Sequence, residues 1–126
     1  MTNVLLINPP WGKPKGSIWS KVSSCLPSLG LGYIAATLEL NGIRVEILDC
    51  QAISYAQDEI LSKIKDFQPA YIGFTATTVL IQNVFEIAKS IKLHWPETKI
   101  YIGRRSSYDS DGRGINKTIC RYCCAW

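Results

Sequence analysis

Histidine is nearly absent from this 126-residue sequence, which contains His94 alone. No run of apolar residues approaches the roughly 18 that a membrane-spanning helix needs. Residues 1–7 carry neither the basic segment nor the small-residue cleavage site of a signal peptide, and they are typical of a mature strand. These absences predict a cytoplasmic protein with no membrane span.

Catalytic motifs are missing as well. The sequence has no nucleophile elbow, no P-loop, no H-E-x-x-H and no pair of carboxylates at the end of a predicted strand. His94 lies near the end of a predicted helix, where a surface position is expected rather than a ligand or a base. The chain contains no complete catalytic apparatus that we recognise.

Hydrophobic residues make up 47% of the sequence and charged residues 19%, which is typical of a folded domain. The net charge of +4 hints at nucleic acid only when it is taken for the whole chain. Residues 1–103 hold nine basic and eight acidic residues, whereas residues 104–126 hold five basic and two acidic ones. Most of the excess charge lies at the end of the chain, and no nucleic acid partner is expected.

Four short apolar runs alternate with three segments of helical periodicity. The runs have the length of strands and are Val4–Ile7, Val45–Leu48, Tyr71–Phe74 and Ile100–Ile102. This alternation predicts an α/β fold with four clear strands, a Rossmann-like or flavodoxin-like doubly wound parallel sheet in a three-layer α/β/α arrangement. Polar residues interrupt the start of the second run, which favours an edge position and the strand order 2-1-3-4.

Ligands of such folds bind beyond the carboxyl ends of the strands, at the switch point between strands 1 and 3. The segment after strand 1, Asn8–Ser28, is a long loop that begins with two prolines and contains Trp11 and Trp19. A stiff aromatic loop at this place suits a bulky planar ligand, although its tryptophans could instead pack on the domain. After strand 3, Thr75–Thr78 offers hydroxyls for a ligand or only a helix cap.

The segment from Gly30 to Ala35 matches the dinucleotide fingerprint G-x-G-x-x-A, and Asp49 ends the next strand, where a ribose-binding acid would lie. The fingerprint needs its first glycine directly after the strand, but 22 residues separate Ile7 from Gly30. Close packing of the helix start on the sheet or on a ligand explains the glycines better. Near the carboxyl terminus, one C-x-x-C with an extra cysteine is too weak a pattern to predict a metal ligand.

Five segments of residues 1–103 form a combined pattern. They read VLLINPP at 4–10, PSLGLGYIAATLE at 27–39, VEILD at 45–49, PAYIGFT at 69–75 and KIYIG at 99–103. Together they resemble the N-terminal cobalamin-binding domain of B12-dependent radical SAM enzymes. The resemblance implies a Rossmann-like domain that holds the corrin ring over the carboxyl ends of its strands.

The resemblance also implies which residues line the cofactor. They are Asn8, Pro9, Pro10, Trp11, Pro27, Leu29, Gly30, Thr75, Ala76, Thr77, Thr78 and Gly103. The B12-dependent mutases and methionine synthases carry D-x-H-x-x-G after strand 1, and its histidine ligates cobalt. This chain has N-P-P-W-G-K there, which implies that cobalamin is held without a protein histidine ligand.

After Gly103 the resemblance ends, because the family continues with a further strand and a catalytic barrel. We interpret residues 1–103 as an incomplete cobalamin-binding domain and residues 104–126 as an irregular tail produced by a frameshift or a truncation. The iron-sulfur cluster, S-adenosylmethionine and the radical SAM catalytic domain then belong only to a full-length parent. The alternatives are a non-functional gene fragment without cofactor and, less favoured, a dinucleotide-binding domain.

Overall fold

A computed structural model describes residues 2–10, 28–52, 55–77 and 80–104. Strands and helices alternate along the chain, as the periodicity predicts. The elements are β1 (Asn3–Asn8), α1 (Leu29–Leu40), β2 (Arg44–Asp49), α2 (Gln57–Phe67), β3 (Tyr71–Ala76), α3 (Ile81–His94) and β4 (Lys99–Arg104). The strands form one parallel sheet in the order β2-β1-β3-β4, so the predicted fold class and strand order are confirmed.

β1 lies inside the sheet and is buried on both of its faces. Leu5 and Ile7 point into the core under α2 and α3, whereas Val4 and Leu6 pack under α1. A parallel strand covered on both faces needs a continuous apolar run, which is what the sequence supplies here. β2 is an edge strand, and its residue Glu46 is exposed.

Two helices cover one face of the sheet and one helix covers the other. The larger core cluster joins the sheet to the buried faces of α2 and α3, formed by Ile60, Ile64, Val84, Ile87 and Ile91. The smaller cluster places Leu31 and Ala35 of α1 against β1. The connection from β1 to β2 runs across the sheet in one direction, whereas those from β2 to β3 and from β3 to β4 run in the other. Right-handed connections therefore place α1 on the opposite face from α2 and α3.

α1 is apolar on its outer side as well as on its core side. Leu29, Tyr33 and Leu40 recur at helical spacing, and their side chains are 72%, 76% and 89% exposed. The one charged residue of the helix is Glu39. α3, the longest helix, has 14 residues, and no helix in the described ranges is long and apolar enough to cross a bilayer.

Candidate functional site

The carboxyl ends of the four parallel strands lie at one edge of the sheet. In the strand register Asn8 pairs with Asp49, and Thr75 pairs with Gly103. β1 and β3 are neighbours, and Ile7 pairs with Phe74 directly before these ends. The described parts of the predicted segments, residues 8–10, 75–77 and 103, therefore lie at one edge, beside the switch point between β1 and β3.

The residues that leave β1 are well packed at this edge. Asn8 is 7% exposed, Pro9 is fully buried and Pro10 is half-buried. α1 begins at the same edge, and its first residues, Leu29 and Gly30, are exposed. Three of the predicted contacts, Trp11, Pro27 and Thr78, lie outside the described residues.

At the end of β3, Thr75 is half-buried and Ala76 is buried, and both belong to the strand. Thr77 follows the strand and is exposed. The N-cap residue of α3 is Leu80, with no side-chain cap, so neither Thr75 nor Thr77 has the helix-capping role that the sequence left open beside ligand binding. The backbone N–H of Leu80 donates instead to the carbonyl oxygen of Thr77, at 3.0 Å.

A hydrogen-bond network joins the ends of β1 and β2. Asn8 Nδ2 donates to Asp49 Oδ1 at 2.9 Å. Gln51 Nε2 donates to Asn8 Oδ1 at 3.3 Å and to the Pro9 carbonyl oxygen at 3.2 Å. Asp49 Oδ1 also accepts from the backbone N–H groups of Gln51 and Ala52, at 3.0 and 3.2 Å, which is an Asx turn. The network fixes the first residues of the loop that follows β1.

Sequence reasoning singled out Asp49 for a different task and missed Gln51. In the structure one oxygen of the Asp49 carboxylate is bonded within its own turn and to Asn8. An aspartate at the end of a strand is a signal for such a turn, because its side chain can accept from the backbone N–H two residues further on. The partner Asn8 could not be found in this way, because Gln51 lies 43 positions further along the chain.

Cys50 follows Asp49 and points away from solvent. Its side chain is 1% exposed and packs in the larger core cluster. Burial, and secondarily the nearby Asp49 carboxylate, raise the pKa of the Cys50 thiol to about 12. The thiol is therefore protonated at neutral pH, and Cys50 is a packing residue of the core.

The glycines at this edge differ in their surroundings. A Cβ on Gly30 or Gly32 would meet no atom of the described residues within 4 Å. The expectation that these glycines let α1 pack closely on the sheet is therefore wrong, and close approach to a ligand remains a prediction. A Cβ on Gly103 would lie 3.5 Å from the Phe74 carbonyl oxygen, which is an ordinary contact.

His94 lies at the opposite edge of the sheet, because α3 runs antiparallel to the strands and ends there. It is exposed, as expected, and its Nδ1 is 2.8 Å from the Ser90 carbonyl oxygen. Within the part of the chain that the structure describes, no three His, Cys, Asp or Glu side chains are grouped to hold a metal ion. Cys120, Cys123 and Cys124 lie outside that part.

An apolar groove of about 630 Å³ lies between α3 and β4. Its lining residues include Phe85, Leu93 and Ile102. None of the lining residues belongs to the predicted cofactor contacts, so this groove is separate from the edge at which those contacts gather.

Two curated proteins are similar in sequence. The chain is 33% identical over 97 residues to cytidylyl-2-hydroxyethylphosphonate methyltransferase of Streptomyces wedmorensis, covering 63% of this chain and 18% of that protein. It is also 33% identical over 89 residues to an uncharacterized methyltransferase of Pyrococcus horikoshii, covering 71% of this chain and 18% of that protein. The matched segments are thus a small part of both relatives.

A solved structure and a family model agree with the fold. A cobalamin-binding protein from Desulfitobacterium hafniense DCB-2 superposes with a TM-score of 0.62 at 16% identity, over 87% of this chain and 47% of that chain. At this identity the likeness shows a shared fold. The family model of the B12 binding domain matches residues 17–104, which is more than half of the sequence. The chain therefore belongs to the B12-binding domain family.

Proposed function

We propose that this chain is a cobalamin-binding module that holds the corrin at the carboxyl edge of its sheet without a protein histidine ligand to cobalt. One observation carries the proposal: in a member of the B12-binding domain family, the carboxyl ends of β1 and β3 lie side by side at the switch point. In doubly wound sheets this is where ligands bind.

The side chains at this edge fit a large ligand that is mostly apolar. Pro10 and Leu29 offer apolar surface, and the hydroxyls of Thr75 and Thr77 can form hydrogen bonds with polar groups at the ligand's periphery. Gly30 presents backbone without a side chain and has open space around it among the described residues. We assign the cofactor contacts to these positions together with Asn8, Pro9, Trp11, Pro27, Ala76, Thr78 and Gly103.

The position of His94 supports binding without a histidine ligand. The sequence holds no other histidine, and this one is at the edge opposite the proposed site. Bound cobalamin would supply a cobalt centre for methyl or radical chemistry. The chain's own residues would bind the corrin, orient it and shield one of its faces from water.

We further propose that the module serves a methyltransferase, as the names of both curated relatives suggest. In this proposal residues 1–103 are the cobalamin-binding domain, and residues 104–126 have no part in it. A radical SAM domain would supply the iron-sulfur cluster and S-adenosylmethionine. The nucleotide sequence of the gene tests the proposed radical SAM enzyme. A C-x-x-x-C-x-x-C motif is expected in one reading frame downstream of the Gly103 codon. Absence of the motif in all frames would overturn it.

The binding experiment uses the purified chain mixed with hydroxocobalamin and then desalted. Corrin absorbance is expected to remain with the protein, at about one cobalamin per chain. The variant His94→Gln is the matched control, and it should give the same visible spectrum because the imidazole lies at the far edge. A chain that is folded by circular dichroism but retains no corrin would contradict the proposal. A spectrum that changes in His94→Gln would contradict the absence of a histidine ligand.

A further inference from the structure

The chain loses its backbone donors where it leaves the sheet. Pro9 and Pro10 follow β1, and neither has an N–H group to continue the sheet ladder. Any hydrogen bond that holds this point must come from a donor elsewhere. Two described donors lie here. The Cys50 backbone N–H donates to the Asn8 carbonyl oxygen at 3.0 Å, and Gln51 Nε2 donates one residue further on, to the Pro9 carbonyl oxygen, and to Asn8 Oδ1.

Gln51 is itself held in place. Its backbone N–H donates to Asp49 Oδ1 at 3.0 Å, and the same oxygen accepts from Asn8 Nδ2 at 2.9 Å. The three residues therefore close a ring of hydrogen bonds in which the Asn8 oxygen faces Gln51 and its nitrogen faces Asp49. At 7% exposure, the Asn8 amide is committed to this ring.

We propose that Gln51 is a positioning residue for the cofactor. Together with Asp49 and Asn8 it fixes the Pro9 carbonyl and sets the direction in which Pro9 and Pro10 leave the sheet. Gln51 acts through these residues and not by touching the corrin. The inference rests on the proposed cobalamin binding and adds to it two residues, Asp49 and Gln51, from the edge strand and its turn.

The main variant is Gln51→Ala, which removes the shared donor and leaves two acceptors without it. We expect the Kd for hydroxocobalamin to rise about five- to tenfold, since the Asn8 side chain and the Pro9 carbonyl would then have to be ordered on binding. The thermal midpoint of the cofactor-free chain should change by no more than about 3 °C. Gln57→Ala is the control, because it removes another glutamine hydrogen bond, of 2.8 Å to Ser90 Oγ, between α2 and α3. Its Kd should stay within twofold of the parent chain.

A carboxylate in place of the Asn8 amide tests the ring itself. Asn8→Asp places two carboxylates at hydrogen-bond distance, and it should weaken binding more than tenfold at neutral pH. Adding Asp49→Asn should not restore the parent Kd, because the one oxygen that accepts from position 8 also accepts from the backbone N–H groups of Gln51 and Ala52, and an amide cannot both donate and accept there.

A readout without cofactor examines the same geometry. In the cofactor-free chain the side-chain amide protons of Asn8 should exchange with solvent at least tenfold more slowly than those of the exposed Gln82. Equal exchange rates would overturn the ring. Parent-like binding by Gln51→Ala, or by a folded Asn8→Asp variant, would overturn the positioning role while cobalamin binding stands. A parent chain that binds no cobalamin would overturn both proposals.

Discussion

Gly73 of β3 pairs with Leu6 of β1, and a Cβ on this glycine would lie 2.8 Å from Leu6 Cδ2. Leu6 is buried under α1, so its side chain has little room to move away. The glycine thus permits the side-chain packing of two neighbouring strands in the middle of the sheet.

Gly73→Ala is expected to lower the free energy of unfolding by about 1–3 kcal/mol through overpacking against Leu6. Urea denaturation measures this change. Adding Leu6→Val removes the δ-carbons, so the double variant should be more stable than the sum of the single effects predicts, by about 1 kcal/mol. Gly32→Ala is the control, because its new methyl group meets no described atom, and it should not destabilise the chain. Additive effects of the two substitutions would disprove the close packing.

Cys50 should make the free energy of unfolding depend on pH in the alkaline range. Burial raises the pKa of its thiol from the ordinary value of 9.0 to about 12, so the folded state keeps a proton that the unfolded state releases. The stabilisation is complete below pH 9 and is lost as the pH rises toward 12. Urea titrations from pH 8 to 11 should show a steeper fall in the free energy of unfolding for the parent chain than for Cys50→Ala. Parallel curves would exclude a contribution from the thiol.

Gly103→Ala separates folding from binding. The described surroundings accept a Cβ at 3.5 Å from the Phe74 carbonyl oxygen, and alanine restricts the unfolded chain more than glycine. The thermal midpoint should therefore stay the same or rise slightly. If Gly103 lines the cofactor, the added methyl group should raise the Kd for hydroxocobalamin about tenfold. An unchanged Kd in a folded variant would remove Gly103 from the set of contacts.

The outer side of α1 should tolerate charge, unlike its inner side. Leu40→Lys replaces an exposed leucine near the carboxyl end of the helix, where a cation is favoured. Its free energy of unfolding should change by less than about 0.5 kcal/mol, and its binding of an apolar fluorescent dye should fall. Leu31→Lys puts the same charge into the smaller core cluster and should unfold the chain. Equal tolerance of both variants in thermal unfolding would contradict the described orientation of α1.

Sequence patterns were sufficient for the strands and for their order. The run Val4–Ile7 is continuous because β1 is covered on both faces. The run Val45–Leu48 is interrupted by a polar residue because β2 lies at the edge of the sheet. The structure confirms both positions. The details of the edge were harder to predict. Leu80 and not a threonine begins α3, because the turn after β3 extends further than the motif suggested.

The ring around Asn8 shows why the rest could not be predicted. Its members come from the ends of two strands that are neighbours in the sheet but distant in the chain. Periodicity identifies which face of a strand is apolar, but it does not pair one side chain with another across 40 residues. The close contact that a larger residue at position 73 would make with Leu6 cannot be predicted from the sequence for the same reason.

The place of β1 between β2 and β3 has a consequence for synthesis. Its residues leave the ribosome before those of both partners, and one of these partners, Tyr71–Ala76, is made about 60 residues later. At roughly 5–20 residues per second this interval is on the order of 3 to 12 seconds. Throughout it, Val4–Ile7 has an unpaired edge and no complete layer above it. Among the described strands, this apolar run thus has the longest interval between its own synthesis and that of its last partner. We expect a nascent chain to need chaperone protection most at this strand.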